Sequence, residues 1–596
     1  MIRSLRRPLW IVVALLACGV PAIWWWFTPP RLNLLIITLD TTRADRLGAW
    51  GGPTGLTPVL DDLAAKGVVF ERAFAPVPLT LPSHASLFTG LYPPEHGLRL
   101  NNGISRLNSE IPVLAEVLQR QGYRTGAFIA SFVLDKQFGL DRGFDYYDDN
   151  LDAGHGPTAA DPHGHRMRIG ERVVNSALGW LRSRRKPFFC WVHLFDPHSP
   201  YSPREELFGA AYRERPYDAG IAYVDQQVGR LLDRLRQNGL DDRTLVVVVG
   251  DHGESLGEHQ ERTHGYTVYN ATQHVPLIIR LAGADRLAGR IATPVSLVDV
   301  LPTLAEAMHL TLPAPCSGRS LVPACRGSDL SVRGCYVESD HPFEEGGAAP
   351  LRGLIADHWK YIRSPRPELY DLNADPRELQ NLAADKPTEL ERLDQALRHM
   401  ETQFQLRDAP TIVMSPHDKR KLVSLGYTSG ITTTQVDAVD NLPDIKDLLP
   451  HFNTYSDAQG LMSTGKFQAA ATMLKPVVQA APKYFQAWYN LGVCEQQLGH
   501  LPEAEAAFRQ AVEIDGNAWS QLALSKVYLI RKQPAQAIPH LEAAASLQPD
   551  LLEATYLLGD AYRLQGQFDR ARQYYQQVVD LDPQNGQAKQ ALQALP

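Results

Sequence analysis

Three apolar runs, each closing on a polar cluster, constrain this chain more than any other feature. Leu34-Leu35-Ile36-Ile37-Thr38-Leu39 ends in Asp40, Phe188-Phe189-Cys190-Trp191-Val192 is followed by His193 and Asp196, and the run 245–249 is followed by Gly250-Asp251-His252. Near-continuous apolar runs of this length suit strands buried on both faces of a parallel sheet. Helix-like stretches at 59–66, 111–121 and 223–238 lie between them. Strand–helix alternation predicts an α/β fold with a parallel sheet. Ligands of such sheets bind beyond the carboxyl ends of the strands, and the polar residues collect at those ends here.

A second stretch, Thr80-Leu81-Pro82-Ser83-His84-Ala85-Ser86-Leu87-Phe88-Thr89-Gly90, reads as the start of a helix. Pro82 is tolerated in a first turn, which puts Thr80 at or just before a helix N-terminus. Free backbone N–H groups and the helix dipole suit a tetrahedral anion there, although Thr is also an ordinary capping residue. A hydroxyl so presented could attack a phosphorus or sulfur centre.

Asp40, Asp251 and His252 each stand at the end of a predicted strand, so they can converge though distant in sequence. With the Thr80 hydroxyl they make three oxygens and one nitrogen, a tetrahedral metal set. A bound cation would lower the hydroxyl's pKa and turn a poor nucleophile into a usable one. The imidazole favours zinc, with manganese or calcium as alternatives. Singly, each aspartate reads as a cap or turn residue. His193, His198 and His264 form a second layer that could hold a second metal, protonate a leaving group or bind the ester's free oxygens. Packing or surface roles are their plain alternatives, and His259 is more ambiguous still. The expected assignments are Thr80, His198 and His264 as catalytic residues, Asp40, Thr80, Asp251 and His252 as metal ligands, and His84, His193 and Asp196 as substrate-binding residues. Arg43 and Asp45 are read as supporting these groups or as purely structural.

With 596 residues the chain exceeds a single core. A net charge of −7 over that length argues against nucleic-acid binding. The uncharged stretch 8–30 follows Arg3, Arg6 and Arg7, precedes Arg31, and ends in Trp24-Trp25-Trp26-Phe27. It is long enough to span a bilayer, with interfacial aromatics at its far end and the arginines favouring a cytoplasmic start. A cleaved signal peptide is the rival, against which Trp24–Trp26 is unlike a small-residue cleavage site. Leu15-Leu16-Ala17-Cys18 hints at a lipoprotein site, but the apolar run continues past it. The expectation is a single-pass anchor with everything after Arg31 exported to the periplasmic or extracellular side. Six cysteines are too few for a disulfide scaffold, with Cys190 and Cys494 expected as buried thiols. An exported domain permits a bridge among Cys316, Cys325 and Cys335, for instance Cys316 with Cys325; zinc binding by the trio is the weaker reading.

The C-terminal part repeats itself. Pro482, Gly516, Pro549 and Pro583 are separated by 34, 33 and 34 positions, and Ala470, Ala504, Ala537 and Ala571 keep the same spacing. A helix–turn–helix period of this length resembles tetratricopeptide repeats, whose stacked pairs offer a concave groove for protein or peptide partners. A passive spacer or dimerisation surface is the alternative. The segment 341–382 reads as a small antiparallel subdomain, and 408–450, which lacks periodicity, as a linker. The expected organisation is an anchor at 1–30, a catalytic domain at 31–407, a linker at 408–450 and repeats at 451–596.

Several motifs occur together and in a recognisable order. Asp40-Thr41-Thr42-Arg43-Ala44-Asp45-Arg46-Leu47, the Thr80–Gly90 stretch, Asp196-Pro197-His198 and Gly250-Asp251-His252-Gly253-Glu254 resemble the sulfatase-like branch of the alkaline phosphatase superfamily. Glu368-Leu369-Tyr370-Asp371-Leu372 and the following Asp375-Pro376 and Asn381-Leu382-Ala383 look like that family's C-terminal subdomain. The resemblance covers roughly 31–407 and implies the α/β fold, a catalytic metal, and cleavage or transfer of sulfate or phosphate esters. It departs where it matters most. Sulfatases carry Cys or Ser, converted to formylglycine, where this chain has Thr80, which cannot become that aldehyde. The family's arginine is His84, and its Asp pair is Asp40-Thr41. Thr nucleophiles are typical of relatives acting on phosphorus. The resulting expectation is a metal-dependent hydrolase or transferase of phosphate esters, sulfate esters second, with no formylglycine. The competing class is a catalytically inactive sulfatase-like domain that serves with the repeats as an envelope binding or assembly module.

Overall fold

A computed structural model describes residues 31–151, 168–182, 187–282, 287–412, 414, 418 and 441–596. The expected anchor at 8–30 lies outside them; among the described residues no helix is long and apolar enough to cross a membrane.

The three apolar runs are adjacent central strands, Asn33–Leu39, Phe188–Leu194 and Thr244–Gly250, each buried at every position. Across an eight-stranded sheet the order is Gly289–Ile291, Val68–Phe70, Leu277–Arg280, Thr244–Gly250, Asn33–Leu39, Phe188–Leu194, Arg124–Phe128 and Tyr146–Asp148. The expected parallel sheet is mixed in one place, because Leu277–Arg280 runs antiparallel to both of its neighbours. Between Gly250 and Leu277 the chain makes only two short helical turns, Glu258–Gln260 and Asn270–Gln273. No crossover carries the chain back to the other edge of the sheet, so the strand must return in the opposite direction.

Register places the site. Leu39 pairs with Leu194 on one side and Gly250 on the other. The next residues along two neighbouring strands, Asp40 and Asp251, therefore leave the sheet side by side. The helix Thr80–Thr89 closes this edge, and all ten of its residues are buried.

The subdomain is an antiparallel four-stranded meander, Cys335–Ser339, Leu351–Ala356, Trp359–Arg363 and Glu368–Asp371. Helix Pro387–Gln403 buries Leu393 and Leu397 against it. The bridge permitted among Cys316, Cys325 and Cys335 does not form: all three are free thiols, as are Cys190 and Cys494. Cys316 and Cys325 pack on one apolar cluster, and Cys335 belongs to another.

The repeats are four antiparallel helix pairs, from Ile445–Ser463 with Phe467–Ala480 to Leu552–Leu564 with Phe568–Leu581, closed by Gly586–Gln593. Ala470, Ala504, Ala537 and Ala571 are fully buried, which explains the small residue at that period. The stretch read as a linker is structured at both ends. Residues near its start run back along the catalytic domain, where the Ile412 N–H donates to Ile104 O at 2.7 Å and the Arg106 N–H to Pro410 O at 3.0 Å. Its far end is already the first repeat helix, which begins at Ile445. The linker reading missed that start because Pro450 interrupts the local pattern, although it lies near the first turns of the helix.

That first helix does not stand apart from the catalytic domain. Ile445, Leu448, Leu449 and Phe452 share one apolar core with Val268, Tyr269, Val337, Leu351 and Tyr370. Polar contacts reinforce it, with Lys446 Nζ 2.7 Å from Glu368 and Arg262 2.8 Å from Asp457.

Candidate active site

Thr80 begins its helix, and its hydroxyl oxygen lies 3.3 Å from Asp40 Oδ2 and 3.3 Å from His252 Nε2. The helix itself offers an anion little. The Leu81 N–H donates to Asn101 Oδ1 at 3.0 Å, Pro82 has no N–H, and the Ser83 N–H already closes on Leu79 O. What the chain presents here is the hydroxyl, more than the dipole.

Asp251 divides its oxygens. Oδ1 accepts the backbone N–H of Thr41 at 3.2 Å and of His252 at 2.8 Å. Oδ2 is buried and accepts no hydrogen bond among the described residues, and Asp40 Oδ1 is in the same position. Asp40 Oδ2 takes a hydrogen bond from His193 Nε2 at 3.1 Å. Asp40, Asp251 and His252 each place one ligand atom within 4.8 Å of the others.

The tautomers follow from the partners. His252 Nδ1 lies 2.9 Å from Gly253 O, an acceptor only, so that nitrogen carries the proton and Nε2 turns its lone pair toward Thr80. His193 Nδ1 accepts the Ala130 N–H at 3.4 Å, so Nε2–H is the donor to Asp40. His84 Nδ1 donates to Thr80 O at 2.8 Å, and its Nε2 accepts from Thr38 Oγ1 at 3.0 Å. Trp191 Nε1 donates in turn to Thr38 Oγ1 at 3.0 Å. Both nitrogens of His84 are thus spent on the scaffold behind Thr80.

His264 packs its ring 4.5 Å from His252 and 5.0 Å from His198, and its Nδ1 donates to Glu254 Oε1 at 3.0 Å. His198 stacks on Phe195 at 4.2 Å. Asp196 faces elsewhere, accepting the Gly170 N–H at 2.9 Å on one oxygen and Arg204 at 2.6 Å on the other. Arg43 bridges Asp45 and Glu258, each at 2.7 Å, and donates to Glu254 O at 3.2 Å, which ties down the loop after Asp251. His259 lies off the site, stacked on Tyr269 at 3.7 Å.

Two residues escape a reading of the sequence alone. Glu254 is fully buried beneath His264, and only its place in Asp-His-Gly-Glu could have pointed to it. Thr41, at the second position of the family's Asp pair, holds φ at 51°. That region is costly for a β-branched side chain, and strain of this kind gathers at sites that the surroundings over-determine.

The electrostatics describe a cluster short of positive charge. Burial pushes the Asp40 carboxyl well up, with Glu254 adding to the rise, and burial followed by Asp40 does the same to Asp251. Burial holds His252 and His84 well below the usual imidazole range, His264 at about 4 and His193 at about 3. Among the described residues no lysine or arginine pairs with Asp40 or Asp251. The residues present therefore fit a divalent cation: two unpartnered buried carboxylate oxygens, an imidazole lone pair and a hydroxyl. The 3.3 Å between Thr80 Oγ1 and His252 Nε2 is about the edge of a tetrahedron with arms of roughly 2.0–2.1 Å.

Comparison with known proteins decides the lineage. The sulfatase family model matches residues 32–310, and a model described as the N-sulphoglucosamine sulphohydrolase C-terminal region matches 257–405. Residues 32–310 form a sulfatase-family domain. Tetratricopeptide repeat models match 455–518 and 522–586 behind it. The ulvan-active sulfatase of Formosa agariphila is 29% identical over 67% of this chain and 89% of its own length. Human arylsulfatase K is 25% identical over 69% of this chain and 88% of its own length. Among solved structures, the phosphonate monoester hydrolase of Agrobacterium radiobacter superposes with a TM-score of 0.52 at 22% identity, over 63% of this chain and 96% of that one. A structure in complex with D-glucosamine-2-N,6-O-disulfate gives 0.53 at 20%, over 63% and 98%. These two likenesses establish the shared fold. The sulfatase-family domain is that of an ester hydrolase of the alkaline phosphatase superfamily.

Proposed function

We propose that this sulfatase-family domain cleaves sulfate, phosphate or phosphonate esters with Thr80 as nucleophile, phosphorus esters being the preferred class. The observation that carries the reading is the Thr80 hydroxyl, 3.3 Å from both Asp40 Oδ2 and His252 Nε2 at a site with two unpartnered carboxylate oxygens. Asp40, Asp251 and His252 would hold a divalent metal, zinc first by the imidazole in the set. When bound, it supplies the positive charge that favours the ionised hydroxyl and offsets charge on the transferring group.

Each residue then has a task. His193 fixes the plane of Asp40 by its hydrogen bond, and the backbone N–H groups of Thr41 and His252 do the same for Asp251. His84 holds the Thr80 carbonyl, and with it the first turn. Thr80 Oγ1 attacks the phosphorus or sulfur centre as its proton passes to Asp40 Oδ2, the bond to the ester oxygen breaks, and the departing oxygen takes a proton from water beside His264 and His198, whose Nδ1–H groups are held by Glu254 and the Ser199 carbonyl. Water, or an acceptor hydroxyl in the transferase variant, then displaces the group from Thr80. Asp196, held by Gly170 and Arg204, serves to position the segment that carries His198.

The reading keeps the segment 8–30 as a single-pass anchor that places the domain on the exported side, where envelope or extracellular esters are the substrates and the repeats take a protein partner. Protease accessibility of the domain in intact cells tests that placement. The chemistry is tested on purified protein by measuring bound metal and screening aryl phosphates, phosphonate monoesters and aryl sulfates against a Thr80→Ala variant. Metal with Thr80-dependent turnover is expected. No metal and no Thr80-dependent turnover would leave a binding module.

A further inference from the structure

The loop that carries His264 is held from outside the catalytic domain. Within the loop, the Ser255 N–H donates to Thr263 O at 2.8 Å, and Glu261 accepts the Tyr266 N–H at 2.9 Å. Its outer face meets the first repeat helix. The Tyr266 ring lies 5.0 Å from Phe452, the Asn453 side chain donates to Gln260 O at 2.7 Å, and Arg262 pairs with Asp457 at 2.8 Å. Its inner face meets the subdomain helix His341–Gly346. Tyr266 donates to Glu345 at 2.7 Å and lies 4.7 Å from the His341 ring.

Two glycines show how tightly this sandwich closes. Gly265, next to His264, holds φ at +105°, and a Cβ there would come within 2.8 Å of His341. At Gly346 a Cβ would meet the Phe452 ring at 2.4 Å. Phe452 is itself wedged against Tyr484 at 4.9 Å, in the second repeat pair's approach. A series of packed groups therefore runs from the repeats through Phe452 to Tyr266, which the backbone of Gly265 joins to His264, whose ring stands 4.5 Å from His252.

We propose that Phe452 is a positioning residue for His264, so that the first repeat helix is part of the hydrolytic centre as well as the start of a partner-binding array. The proposal rests on the reading of His264 as a group that serves the reaction. A loop displaced by about 1 Å can cost on the order of 10²-fold in rate.

The test uses the full chain and a double-mutant cycle between Phe452→Ala and His264→Ala. Phe452→Ala should lower kcat by about 10–100-fold with little change in KM. Phe452→Leu, which keeps an apolar wedge, should recover most of it. In the His264→Ala background, Phe452→Ala should add little, because its effect is routed through that ring. A kcat within about twofold of wild type, or losses that multiply in full, would overturn the proposal. If Phe452→Ala does not fold, the exposed pair serves instead: Asp457→Arg should lower kcat and the Asp457→Arg, Arg262→Asp double exchange should restore it, whereas absence of both effects counts against the coupling. Amide exchange over 255–268 reads the same coupling without substrate. Faster exchange there in Phe452→Ala, with the central strands still protected, supports it, and unchanged exchange contradicts it. A wild-type protein without turnover would refute the hydrolase reading alone, since the exchange result still decides the positioning.

Discussion

At Asp40 and Asp251 one carboxylate oxygen is committed to a local donor and the other is held bare inside the fold. That asymmetry costs stability unless a cation or ligand meets the second oxygen, because a buried acceptor without a partner loses its hydration uncompensated. His193 keeps Asp40 in this pose through a 3.1 Å hydrogen bond. His193→Ala should weaken metal binding by about 10–100-fold, measured by competition with a chelator at a temperature where the variant remains folded. Thr80→Ala should reduce turnover by roughly 10⁴-fold or more, and Thr80→Ser should retain part of it. Residue identity was legible here in an uneven way. Asp40, Asp251 and His252 could be named from strand ends alone, because a side chain's position after an apolar run is a one-dimensional property. Asp196 stands at an equivalent strand end yet turns to Gly170 and Arg204, and only the three-dimensional path of 168–204 decides that. His84 fills a motif position read as substrate-binding, but its place behind Thr80 depends on Thr38 and Trp191, which carry no motif.

Among the elements, the strands were the most readable and the loops the least. Apolar runs with a polar end made Asn33–Leu39, Phe188–Leu194 and Thr244–Gly250 recognisable, and the repeat period marked the C-terminal helices. The direction of Leu277–Arg280 was not, since a short buried strand looks the same whichever way it runs. Nor was the fold of 254–270, where Glu254, Glu258 and Glu261 follow no strand or helix period and acquire their roles only through Arg43, His264 and Thr267. Glu258 offers a pH test of this loop. Burial raises its carboxyl, but Arg43 overrides that and holds it at about 2, against an ordinary value of 4.5. A folded-state pKa below the unfolded one adds stability above about 4.5 that is lost as pH falls toward about 2. Glu258→Gln should therefore melt below wild type near neutrality, and the difference should close as the pH is lowered through that window.

At the scale of the whole molecule, the boundary between catalysis and repeats does not coincide with a boundary in packing. The first repeat pair and part of the second share their core with the catalytic domain, whereas Phe508 and Leu541 belong to a separate cluster built from repeats alone. Solenoid stability is close to a sum over neighbouring units. Phe508→Ala should thus cost about 3–5 kcal/mol in the distal repeats, seen as faster amide exchange there, and leave ester turnover unchanged. Loss of turnover in that variant would mean the coupling extends beyond the first pair. A 34-residue period reports helix pairs and their order, but it is silent about which face of the first pair is covered, since the covering residues come from 260–270 and 335–372.

The central claim is that the Thr80 hydroxyl forms the bond to the transferred group. Acid quench of a single turnover with an aryl phosphate, followed by mass analysis of the peptide containing Thr80, tests it most directly. The account predicts a phosphoryl group on Thr80 in the wild type and none in Thr80→Ala. Steady turnover with an unmodified Thr80, undiminished in Thr80→Ala, would contradict it.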